Sequence, residues 1–196
     1  MGTVALSLPL LLLLTGGYAG HFSISYFYHV SEICRNILVG LLCATGVFLF
    51  LFHGLSSIEN WLLNVAGASA ISVALNPMAV EQCPEGQDAG ISIHAFSAIV
   101  FFLCLAVVAV GLSKGRIRYI KSEAMRRFFT IAYSAAGLLM IAMPAAVAAV
   151  HFLGRQTCES HYIFWIECTG IWAFSAYWFL KTYEYRILLN VRLLDT

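Results

Sequence analysis

Hydrophobic positions in this chain do not alternate with polar ones; they run on without interruption. Continuous apolar stretches of roughly 20 residues suit helices that cross a bilayer, and six such stretches follow one another. They cover approximately residues 3–20, 36–53, 61–80, 91–112, 128–153 and 162–180. None shows the period-two alternation of a membrane barrel strand, and a helix satisfies its backbone groups within its own segment in lipid. The pattern predicts an all-α, polytopic transmembrane helix bundle of six spans. Little chain is left between the spans, so residues 1–196 are expected to form a single domain.

Two stretches refine this outline. The first, TVALSLPLLLLLTGGYAG, has the short leucine core and small-residue end of a cleavable signal peptide. No Lys or Arg precedes that core, as a signal peptide would require, so a retained first helix is expected. The third contains VAGASAISVALNP, rich in Gly, Ala and Ser. Small residues let helix backbones approach closely, which predicts a central, tightly packed helix. Its Asn76-Pro77 pair is a stop or kink signal, and Pro144 interrupts the fifth stretch.

Composition excludes a soluble globule. The 196 residues are 61% hydrophobic and only 11% charged, whereas soluble domains carry about 25% charged residues. Mean hydropathy is +0.84. A net charge of +1 offers no electrostatic footprint for nucleic acid, so membrane lipids, or a membrane-protein partner, are the expected contacts.

Charge placement predicts orientation. Lys114, Arg116, Arg118, Lys121, Arg126 and Arg127 put six of the eleven basic residues between spans four and five, and Lys181, Arg186 and Arg192 follow span six. Basic loops face the cytoplasm, so both termini are expected there, in the inner membrane of a bacterial cell. The opposite side keeps Arg35 and Arg155 with Glu32, Glu81, Glu85, Asp88 and Glu159. Cys83 and Cys158 fall on that side, where an oxidising compartment permits a disulfide between them.

Candidate chemistry collects at the outward end. Residues 23–35, SISYFYHVSEICR, crowd Ser25, His29, Glu32 and Arg35 into one short connection. Five of the six histidines map to the outward half, among them His29, His94, His151 and His161. Glu167 lies within span six, where a carboxylate is costly and is a functional candidate by default. Arg35 and His94 begin spans at similar depth, so Arg35, Glu32, His94 and Glu167 are the candidate ligand-binding set. A structural Glu167–Arg35 pair is the plainer alternative. No cofactor is expected, although imidazoles and carboxylates are also what zinc uses. In that scheme His29, His94 and His151 or His161 hold the metal, and Glu167 acts as general base on bound water.

The segments SISYFYH, RNILVGLLCATGVFLFLFHG, ENWLLNVAGASAISVALNP, IHAFSAIVFF and FWIECTGIWAFSAYWFLKTYEY together resemble a family of bacterial integral membrane proteins of unknown function. The likeness covers about Ser23 to Glu184 and implies the six-span outline without an activity. Ser25-Tyr-Phe-Tyr-His29 also resembles the S-x-x-x-H element of the membrane hydrolases that include alkaline ceramidases and adiponectin-type receptors. That resemblance implies zinc-dependent cleavage of a lipid amide at a site shared by Ser25 and His29; with Glu167, singled out above as the acid within a span, these are the catalytic candidates. This chain departs from it in having no Asp within a span, no H-x-x-x-H pair and six spans rather than seven. The leading expectation is a membrane protein whose outward polar pocket binds a small ligand or lipid headgroup, or docks a partner. A metal-dependent lipid hydrolase or acyl-remodelling enzyme is the alternative, and a transporter the third, disfavoured because no internal repeat is visible.

Overall fold

The computed structural model describes residues 1–17, 23–54, 56–78, 91–152 and 162–194, with the side chains at 114, 150–152 and 190–194 excepted. Among these residues the chain is helical and contains no strand. The helices are α1 (Gly2–Gly16), α2 (Glu32–Leu51), α3 (Ser57–Leu75), α4 (Ile93–Val107), the short α5 (Lys114–Ile117), α6 (Glu123–Phe152) and α7 (Tyr162–Leu194). A 3-10 turn, Ser25–His29, precedes α2, and a π-type turn, Val108–Leu112, extends α4. Five helices are long and apolar enough to cross a membrane; α1, at 15 residues, is shorter. The chain is a multi-pass membrane protein by this measure.

Packing closes a ring: α1 lies on α2, α2 on α3, α3 on α4, α4 on α6, α6 on α7 and α7 back on α1. Neighbours run antiparallel, since Thr15 meets Cys34 across α1 and α2 while Ser175 of α7 donates to the carbonyl of Gly2. The larger core cluster fills the end of the ring that holds Leu63, Leu105, Tyr133 and Tyr177. A smaller one, with Leu12, Phe27, Cys34 and Phe164, fills the other.

Helix boundaries follow capping chemistry more than apolarity. Ser31 accepts from the N–H of Cys34, so α2 begins at Glu32, before the apolar run, and Glu32 and Arg35 stand in its first turn. Ser56 and Ser92 cap α3 and α4 in the same way. Helix α1 stops at Gly16 because Gly17 takes a left-handed φ of 75°. Helix α7 continues past residue 180 to Leu194, so the expected cytoplasmic tail is largely helix.

Candidate functional site

At the end of the bundle formed by the 3-10 turn, the C-terminus of α3 and the start of α4, several polar groups converge. Ser25 Oγ lies 2.9 Å from His94 Nε2, and His94 Nδ1 lies 2.9 Å from the carbonyl oxygen of Asn76. A carbonyl only accepts, so in the neutral ring Nδ1 carries the proton and Nε2 accepts from the Ser25 hydroxyl. Asn76 ends α3, which frees its carbonyl from the helical ladder. Its side-chain amide donates to Ser72 O at 2.8 Å, and Ser72 Oγ meets Ser97 Oγ of α4 at 2.8 Å. The imidazole is thus positioned from two helices. Ser25 and His94 are both partly exposed.

Glu167 approaches the same turn from α7. Its Oε2 accepts from the backbone N–H of Ile24 at 2.6 Å. The carboxyl therefore serves the donor at the N-cap of the 3-10 turn. Arg35 is occupied elsewhere: its Nε donates to Tyr28 O at 3.4 Å and its guanidinium stands 5.2 Å over the Tyr28 ring.

Ser25 and His29 do not meet. A 3-10 turn advances about 120° per residue, so positions four apart point in different directions, unlike on an α-helix. His29 Nε2 instead bonds the carbonyl of Met78 at 2.8 Å. Glu32 lies in the first turn of α2. The side chains of His151 and His161, and both Cys83 and Cys158, lie outside the described residues. Among the described residues no three His, Cys, Asp or Glu side chains gather at metal-binding positions.

Below this polar rim lies a shallow apolar groove with a cavity of about 30 Å³, lined by Leu8, Leu41, Leu42, Phe101, Ile171 and Phe174 among others. Ile171 and Phe174 follow Glu167 at i+4 and i+7, and Phe101 follows His94 at i+7, so the same helix faces carry rim and groove. The vertical offset is roughly 6–10 Å.

A second polar cluster occupies the opposite end, and sequence reasoning missed it. Lys181 Nζ lies 3.4 Å from Glu59 Oε1 and 3.3 Å from Ser113 Oγ, with all three residues buried. Ser113 Oγ is 3.2 Å from the Tyr177 hydroxyl, and Tyr133 donates to Glu184 Oε2 at 2.7 Å. Lys181 also stands over the Tyr133 and Tyr177 rings, at 5.7 and 5.8 Å. Arg116 is buried nearby, and neither its Nε nor Glu184 Oε1 has a hydrogen-bond partner. The π-type turn builds part of this cluster, because Ser113 N and Oγ both bond Val108 O and so aim the hydroxyl inward. The available signals were Tyr177, Lys181 and Glu184 at spacings of four and three on one helix face, and Ser56-x-x-Glu59 as a capping box.

No family model, no curated protein and no solved structure matches this chain.

Proposed function

We propose that this multi-pass protein of a bacterial inner membrane binds an amphipathic ligand of the membrane-lipid class, with the polar head at the Ser25–His94–Glu167 rim and the apolar chain laid along the apolar groove beneath. The observation carrying this reading is the vertical alignment of the two: Glu167, Ile171 and Phe174 share one face of α7. Bilayer lipids have the same polarity profile along their length, and an apolar lining with a few placed polar groups is the general form of a ligand site.

The rim faces away from the cytoplasm in this reading. Arg116, Arg118, Lys121, Arg126 and Arg127 all lie at the other end of the bundle, as do Gly2 and the C-terminal part of α7. Basic residues favour the cytoplasmic side. A fluorescent protein that matures only in the cytosol is therefore expected to fluoresce when appended after Thr196. A silent fusion, with an active alkaline phosphatase fusion at the same point, reverses the orientation.

The ligand test is crosslinking by a phospholipid with a photoreactive group on its acyl chain. Adducts are expected on groove residues of the purified protein, and Ile171→Trp, which fills the groove, is expected to remove most of them. Uniform labelling of the lipid-facing surface, unchanged in Ile171→Trp, refutes the reading.

A further inference from the structure

The rim holds more than binding requires. Ser25 Oγ, His94 Nε2, His94 Nδ1 and the Asn76 carbonyl form a line with two contacts of 2.9 Å. A hydroxyl bonded to an imidazole, itself oriented by an acceptor on its other nitrogen, is the arrangement that activates a serine nucleophile. The orienting acceptor here is a backbone oxygen left free because α3 ends at Asn76, so it neither rotates nor titrates. Both reacting side chains are partly exposed, which leaves them reachable.

A second observation points the same way. The backbone N–H of Ile24, the residue preceding the serine, points at the Glu167 carboxyl at 2.6 Å. A backbone donor beside a nucleophile is what stabilises the oxyanion of acyl transfer. In the present structure the side chain of Glu167 already occupies it.

We propose that Ser25 is the nucleophile of an acyl-transfer reaction on an ester or amide of an amphipathic lipid, with His94 as general base and Glu167 covering the Ile24 oxyanion donor until substrate displaces it. The inference rests on the lipid-binding reading above, which supplies the substrate class and lays the acyl chain along the apolar groove.

The steps balance without a further reactant besides water. The Ser25 hydroxyl proton passes to His94 Nε2 as Oγ bonds to the acyl carbon. The carbonyl oxygen becomes an oxyanion and takes the N–H of Ile24 in place of Glu167. The bond from carbon to the leaving oxygen or nitrogen then breaks, and His94 returns the proton to that atom. Water, deprotonated by the same imidazole, attacks the acyl-serine; its proton then goes back to Ser25 and the free acid departs. This route needs neither His29 nor a metal ligand set.

The test uses the full-length protein in lipid nanodiscs with a long-chain alkyl fluorophosphonate, which bonds an activated serine oxygen as fluoride leaves. The adduct is read by peptide mass spectrometry. It is expected at Ser25, absent in Ser25→Ala, and formed roughly 100-fold more slowly in His94→Ala. Glu167→Ala, which clears the Ile24 donor, is expected to react faster than the unaltered protein. No adduct at Ser25 in either the unaltered protein or Glu167→Ala overturns the proposal, as does an undiminished rate in His94→Ala. The photoreactive lipid is run on the same preparation. Groove crosslinks without a Ser25 adduct refute the nucleophile and leave lipid binding standing; an adduct without groove crosslinks refutes the lipid as substrate.

Discussion

Exchanging Lys181 for methionine is expected to lower unfolding stability by about 3–5 kcal/mol, the usual cost of removing one partner from a buried ion pair. Lys181 and Glu59 are 3% and 1% exposed, so neither charge can turn to water when the other is lost. The surrounding charges make the loss worse. Glu59 and Glu184 are balanced by Lys181 and Arg116, and methionine leaves two buried carboxylates facing one guanidinium. Its sulfur also cannot donate to Ser113, whose hydroxyl lies 3.3 Å from the ammonium. The measurement is denaturant or thermal unfolding in a mild detergent. Adding Glu59→Gln to Lys181→Met is expected to restore much of the loss, because a buried pair replaced by neutral groups often costs little. Equal stability of Lys181→Met and the unaltered protein would show that the ammonium reaches solvent and that the cluster is not closed.

This cluster shows why the sequence was informative about the spans and nearly silent about their polar interior. Apolar runs announce helices because lipid leaves the backbone no other option. Ends are set by individual side chains, and these shifted the boundaries: Ser31 starts α2 ahead of the apolar run, and Gly17 stops α1 early. A lysine at the edge of a greasy segment reads as a cation reaching for the headgroups. Lys181 instead turns inward to Glu59 of α3, a partner 122 residues away that only the ring of helices supplies. Glu167 stood out as an acid within a span, yet its acceptor role toward Ile24 is a backbone contact that side-chain inventories do not contain. The S-x-x-x-H spacing paired Ser25 with His29 on α-helical geometry. The 3-10 winding separates the two, and His94 of α4 takes the hydroxyl.

The other large effect is expected where α2 crosses α3. A methyl group built on Gly67 would come within 2.8 Å of the carbonyl oxygen of Gly46, and one on Gly46 within 2.7 Å of the carbonyl oxygen of Gly67. Each glycine faces the other helix's backbone, which cannot rotate aside as a side chain can. Ile71 of α3 already lies against Gly46 and the Phe50 ring of α2 against Gly67, so the glycines are the only depth the crossing has to spare. Gly67→Leu must push the two axes apart, and overpacking of this kind costs about 1–3 kcal/mol or more even where side chains can yield. Against backbone the expected loss is at the upper end or beyond, with Gly46→Leu equivalent. Gly40→Ala in the same α2 is the control: it meets nothing within 4 Å and exchanges glycine for a better helix former, so it is expected to be neutral or slightly stabilising. Because α3 also carries Asn76, whose carbonyl orients His94, splaying α2 from α3 is expected to weaken the 2.9 Å Ser25–His94 contact. Unfolding curves for the three variants, read beside the rate of fluorophosphonate labelling, test both halves of this expectation. A Gly67→Leu protein with unaltered stability would mean that the helices do not cross at these glycines.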